Sequence, residues 1–376
     1  MRHRIAIALF LTSTSVLSAQ QSRIRFEVSS IVDTSNSEIS QVIRLWENYL
    51  NSKPDSSYIN PCWSESEQLQ YNPYDLVPHT WWGISLYVWL PRCKTNVLSV
   101  SRIRDSFVIR TMFYNSTPKD SGKVNVISII QTGARLENGS YKLCNVLPIN
   151  TRYWKKEQVG SIKFVFPPDH QFNRKLAERM SQFTDSLAAI WQMLVVPVDY
   201  YFADDIDRVA KALGFDYWPS EGNRSGPRGF VDSKNRIIYS GDSNEWYPHE
   251  FVHIYINPLF PNAHSYFLEG YATLVGGSGG QDLLWHLKRN YEYLKAHPEV
   301  DVLTFKGVDH WPANYFIGAL LCKMALEKGG LPTIRKLMTY GKEDDDLYRA
   351  IQETFGVSKE DLDDFLRKKL AGYATK

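Results

Sequence analysis

The sequence predicts an α+β chain of two domains. Three features carry that expectation: strand-like texture between Val97 and Phe166, helical periodicity after residue 280, and the stretch PPDHQ at 167–171 that separates them. The expected division is a signal peptide over 1–19, an N-terminal α+β domain over 20–166, and a second domain over 167–376 whose C-terminal half is helical.

The N-terminus comes first. Basic Arg2 and Arg4, a short apolar run from Ile5 to Leu17, and small Ser18 and Ala19 have the form of a cleavable secretory signal. The run is too short and too rich in Ser and Thr to cross a bilayer, and LSAQ lacks the cysteine of a lipoprotein. A secreted or periplasmic protein with no transmembrane segment after signal removal is expected. Composition agrees, since 43% hydrophobic and 22% charged residues describe a globular chain. A formal charge of +2 gives no general attraction to nucleic acid or to an anionic membrane.

Along the first half, SEISQVIRLWENYLN (37–51) places Ile39, Val42, Ile43, Trp46 and Tyr49 at helical spacing. Then LSVSRIRDSFVIRTMFY, VNVISIIQTGA and GSIKFVFPP read as antiparallel strands, with Asn138-Gly139-Ser140 marking a hairpin turn. One helix followed by long strands resembles the NTF2-like fold, a helix packed in a curved sheet. Of the four cysteines, Cys62, Cys93, Cys144 and Cys322, none forms a CxxC pair, so a cysteine zinc site is not expected. Cys322 lies in an apolar helical run and is expected as a buried thiol, leaving three cysteines and at most one bridge in the first half.

Beyond PPDHQ come a helix (NRKLAERMSQFTDSLAAIWQML), the strand VVPVDYYF, a helix near DDIDRVAKALG, and a hairpin GFVDSKNRIIYS that turns at DSKN. Five amphipathic helices closed by Gly or Pro fill the region after residue 280.

Between hairpin and helices stands HEFVH at 249–253. Residues four apart share a helix face, so His249 and His253 can reach one ion, while Glu250 is rotated toward where a metal-activated water would sit. Pro248 fits such a helix only at its start. A catalytic zinc site needs a third protein ligand and an open position. Glu269, in the apolar run SYFLEGYATLVGG, supplies a carboxylate that calls for a charged partner. His79, His170, His264, His286 and His297 have no partner at ligand spacing and are expected at the surface. GGSGG at 276–280 lacks the ending of a phosphate loop and is expected to be a flexible connector near the site.

HEFVH followed by FLEGYATLVGG resembles the gluzincin metallopeptidases, and the layout over about 165–376 is most similar to the peptidase-MA-like members. The resemblance implies Zn2+ as cofactor, His249, His253 and Glu269 as its ligands, Glu250 as general base, and a peptide or protein substrate. Tyr315, opening the helix YFIGALLCKMAL, matches the position of an oxyanion-stabilising tyrosine, with nearby His310 as a second candidate donor. The interval from His253 to Glu269 is shorter than in M1 aminopeptidases, and Thr273 stands where thermolysin-type enzymes carry an aspartate. The expected function is a secreted zinc-dependent peptidase whose substrate backbone pairs with the strand around Arg236–Tyr239. A non-catalytic binding protein of gluzincin fold, or a metallohydrolase of a non-peptide amide, remain open alternatives.

Overall fold

The computed structural model describes residues 24, 26–52, 60–70, 93–116, 124–218, 222, 228–307 and 312–375. Within them the chain is a mixed α/β structure of two sheets and a helical C-terminal half. The expected signal peptide, His79 and His310 lie outside the described residues.

The first sheet grows from β1 (Phe26–Val28) through β2 (Lys94–Ile103), β3 (Ser106–Ser116), β4 (Val124–Glu137) and β5 (Ser140–Cys144). β1 runs parallel to β2, and the later neighbours are antiparallel. The turn between β4 and β5 is the two-residue Asn138-Gly139, with φ of 50° and 79°. Asn and Gly tolerate that left-handed geometry, which matches the twist of the paired strands. Helix α1 (Ser37–Asn51) starts where the Asn36 side chain accepts from the Glu38 and Ile39 amides. It buries Val42, Trp46 and Tyr49 completely, and Trp46 Nε1 donates to Thr111 Oγ1 on β3 at 3.0 Å. Each fully buried aromatic side chain contributes about 2–3 kcal/mol. The short helices α2 (Glu65–Gln70) and α3 (Leu147–Asn150) close this part.

The second sheet has the order β10-β11-β8-β7-β6. Its strands are β6 (Lys155–Val159), β7 (Ile162–Phe166), β8 (Val198–Phe202), β10 (Gly229–Asp232) and β11 (Ile237–Ser240), while β9 (Phe215–Tyr217) pairs with β4. Helices α4 (Arg174–Trp191) and α5 (Ile206–Ala212) follow β7 and β8 respectively. Two expectations change here. The division at 166/167 runs through one sheet, because β6 and β7 pair onward to β8, and β9 returns to the first sheet. A Pro-Pro pair punctuates the chain locally, yet apolar strands on either side of it still find each other. The strand at Arg236–Tyr239 is also not an open edge: β11 is bonded to β10 on one side and β8 on the other. Among the described residues β10 is the edge strand on that side, and β6 is the edge on the other.

From there the chain is helical: α6 (Pro248–Ile256), α7 (Ser265–Gly276), α8 (Leu283–Ala296), α9 (Ala313–Leu337), α10 (Asp344–Phe355) and α11 (Leu362–Ala374). α9 breaks at Gly329 and Gly330, where φ reaches −160° and +67°, so its two halves correspond to two of the five expected helices. α7 crosses α9 at a glycine pair. A Cβ on Gly270 would lie 2.2 Å from the Gly318 carbonyl carbon, and one on Gly318 would lie 2.1 Å from the Tyr266 oxygen. That contact sets Glu269 on α7 beside the start of α9.

All four cysteines are free thiols. Cys322 is buried, with its Sγ 3.7 Å from the Phe267 oxygen.

Candidate metal centre

α6 is buried along nearly its whole length, with Phe251, Val252, Ile254 and Tyr255 in the core. Pro248 is its first residue, where the missing N–H would have no helical partner and the fixed φ suits the helix. The strain that proline would impose inside a helix is therefore avoided.

Three groups converge from α6 and α7. His249 Nε2 lies 3.2 Å from Glu269 Oε2, His253 Nε2 lies 3.4 Å from the same oxygen, and the two Nε2 atoms are 3.3 Å apart. Both histidines are buried. Their other nitrogens decide which protons they carry. His249 Nδ1 is 2.7 Å from the Gly277 carbonyl and His253 Nδ1 is 3.1 Å from Asn257 Oδ1. A carbonyl oxygen only accepts, so each Nδ1 donates, and Nε2 is the nitrogen that each ring, once neutral, would offer an ion. Two nitrogen lone pairs and a carboxylate oxygen at such separations repel unless a positive charge stands among them.

Electrostatics of the side chains point the same way. Burial lowers the His253 pKa, but the Glu269 charge, the hydrogen bond to Glu269, the Glu250 charge and the Asn257 contact outweigh it and hold it at about 9. Burial raises the Glu269 pKa, and the two histidines overcome that and keep the carboxylate well below its usual range. The cluster binds positive charge.

The geometry fits zinc. A tetrahedral ion with bonds of about 2.0–2.1 Å holds its ligands about 3.3–3.4 Å apart, against 3.2, 3.3 and 3.4 Å here. Three protein donors leave one position for water or substrate. His249, His253 and Glu269 are the one such group of His, Cys, Asp and Glu side chains among the described residues.

Around them, Glu250 is half-buried, and its charge reaches Tyr247 and Tyr315. The Tyr315 ring stacks on His249 with centroids 5.6 Å apart, and its hydroxyl bonds to Glu269. Burial first, then the Glu269 and Glu250 charges, push the Tyr315 phenol far up, so it keeps its proton. A cleft of about 1210 Å³ passes the start of α6, lined by Tyr247, Pro248, His249 and the loop Gly276–Gly280. Of the three donors only His249 forms part of that wall.

The residues that orient the histidines were not singled out by sequence pattern. Thr273, standing where an aspartate could have held His249, is buried with its Oγ1 unpaired among the described residues. The Gly277 carbonyl takes that place. Asn257 lies four residues after His253, and that spacing was a usable signal. Two histidines expected at the surface are buried: His286 is 1% exposed, and His264 caps α7 by accepting from the Tyr266 amide. A third, His170, is half-buried and bonds the buried Glu245 at 2.7 Å.

No family model matches the chain, and no curated protein matches it at a significant level. Solved structures do. A mutant M1 zinc metallopeptidase from Deinococcus radiodurans matches at 11% identity and a TM-score of 0.33, over 75% of this chain and 64% of that one. A mutant of that enzyme bound to a Tyr-Ser-Ala substrate matches at 11% identity and 0.34, over 75% and 63%. The chain thus spans less than two thirds of the length of the structures it matches.

Proposed function

We propose that the chain is a secreted zinc-dependent peptidase acting through His249, His253 and Glu269. The three donor separations support this most directly, because 3.2, 3.3 and 3.4 Å are the spacings that the ligands of one tetrahedral zinc ion take. Zinc, when bound, supplies a Lewis acid that acidifies water and polarises a carbonyl.

The chain's own residues do the rest. Glu250, half-buried beside His249, takes the proton from the attacking water and passes it to the leaving amine. Tyr315 keeps its proton and donates to the substrate oxygen as that oxygen gains charge; to do so its hydroxyl turns away from Glu269. His310 is the second candidate for that donation. Among the described residues no strand pairs with the outer edge of β10, and α6 packs against β10, so an extended substrate backbone can add there within reach of the site. The basic and apolar residues of 1–19 support export to the periplasm or beyond.

The test pairs zinc content with peptide hydrolysis in wild type, Glu269→Ala and Glu250→Gln. Near-stoichiometric zinc in wild type and Glu250→Gln, its loss in Glu269→Ala, and hydrolysis by wild type alone are expected. Normal hydrolysis by Glu250→Gln would falsify the mechanism, and zinc absent from wild type after it had been supplied would remove the metal.

A further inference from the structure

The loop that follows α7 makes a hydrogen bond to the metal centre through the Gly277 carbonyl. The peptide plane carrying that oxygen is fixed from both sides. Its oxygen accepts from His249 Nδ1 at 2.7 Å, and its N–H, that of Ser278, donates to the Gln281 oxygen at 2.9 Å. The next carbonyl, Ser278 O, accepts twice, from Gln281 N at 3.0 Å and from His286 Nε2 at 2.9 Å. His286 is buried in the first turn of α8, a helix started by Asp282, whose side chain accepts from the Trp285 amide.

Glycine is required at both approaches. A Cβ on Gly276 would stand 2.7 Å from the His249 nitrogen. Gly277 has φ +74°, and its Cβ would stand 2.5 Å from the Gln281 oxygen. The segment expected to be a flexible connector is instead a shaped clamp between α6 and α8.

We propose that His286 is a positioning residue for the metal: by holding Ser278, it keeps the Gly277 carbonyl on His249 Nδ1 and so fixes the tautomer that turns the His249 Nε2 lone pair toward the ion. This rests on the zinc reading above. The contact is two links removed from the metal, and its physical content is orientation. Without the His286 donor the loop relaxes, the Gly277 oxygen leaves His249, and the imidazole loses both its preferred tautomer and its ring angle. Outer partners of ligand histidines are typically worth about 10–100-fold in metal affinity. Because the same loop lines the cleft, it joins the wall of the cleft to the metal ligand.

The experiment measures zinc affinity by chelator competition in wild type, His286→Leu and His286→Gln, with no use of activity. A glutamine amide can still donate to Ser278. Affinity is expected to fall about 10–100-fold in His286→Leu and to recover to within a few-fold of wild type in His286→Gln. Equal affinity in all three, or equal loss in Leu and Gln, overturns the proposal while leaving the zinc site itself standing; wild type that binds no zinc overturns the site as well. Should His286→Leu not fold, long-range ¹H–¹⁵N spectra of the wild-type imidazoles decide. A protonated Nδ1 on His249 together with a protonated Nε2 on His286 supports the clamp, and the opposite tautomer on either ring sinks it.

Discussion

The two ends of α6 solve one problem in opposite ways. At the C-terminal end, His253 is oriented by Asn257, four residues along the same helix, so the contact exists as soon as the helix does. At the N-terminal end, His249 is oriented by a carbonyl 28 residues away, in a loop that must itself be pinned by α8. The first arrangement depends on local geometry and the second on tertiary structure. The tertiary one is also the one beside the cleft, so the end of the helix that lines the cleft is the end whose orientation the surrounding fold controls.

The largest expected effect treats the two ends alike. His249→Ala and His253→Ala each remove an inner ligand, and both should reduce bound zinc to background and abolish hydrolysis, measured by metal analysis and a peptide assay. Glu250→Gln separates metal from chemistry: zinc stays stoichiometric while the rate falls by about 10²–10⁴-fold. Should one of the two alanine variants keep its zinc, that histidine is not a ligand and the symmetry of the pair is broken.

A smaller effect sharpens the difference between the ends. Asn257→Leu removes the local partner of His253 and is expected to weaken zinc about 10–100-fold. Combined with His286→Leu, the losses should multiply, because the two supports share no residue. A double variant no weaker than the worse single variant would mean that both act through one element, and the contrast between the ends would fail.

What the sequence made legible follows the same division. HEFVH and Glu269 could be singled out because helix spacing alone places two histidines on one face and an apolar run isolates one carboxylate. The hairpin at Asn138-Gly139 was legible because two residues carry the whole turn. The break at PPDHQ misled, since strand pairing across it joins residues 36 apart, as Ile162 with Val198. The open edge was assigned to β11 when it belongs to β10, because alternation shows which residues form a strand and not which neighbours flank it. The clamp at Gly276–Gly280 was illegible for a deeper reason. Its working atom is a backbone carbonyl, which every residue possesses, and its support, His286, looks in sequence like any histidine on an amphipathic helix.

The smallest expected effect tests whether the start of α6 contributes to holding His249 independently of the clamp. Pro248 occupies the first helical position, where its ring fixes φ and no N–H is needed. Pro248→Ala leaves the folded backbone unstrained and mainly frees the unfolded chain, which costs about 0.4–1 kcal/mol of stability. For a chain of this size that amounts to a melting temperature lower by only about 1 °C. Zinc affinity should not change, because His249 Nδ1 still meets the Gly277 carbonyl and Gly276 still packs against the His249 backbone. Melting curves and chelator competition on the same preparation check both halves. A loss of affinity as large as that in His286→Leu would show that the rigid start of the helix, rather than the loop, orients His249. In that case both ends of α6 would be governed locally.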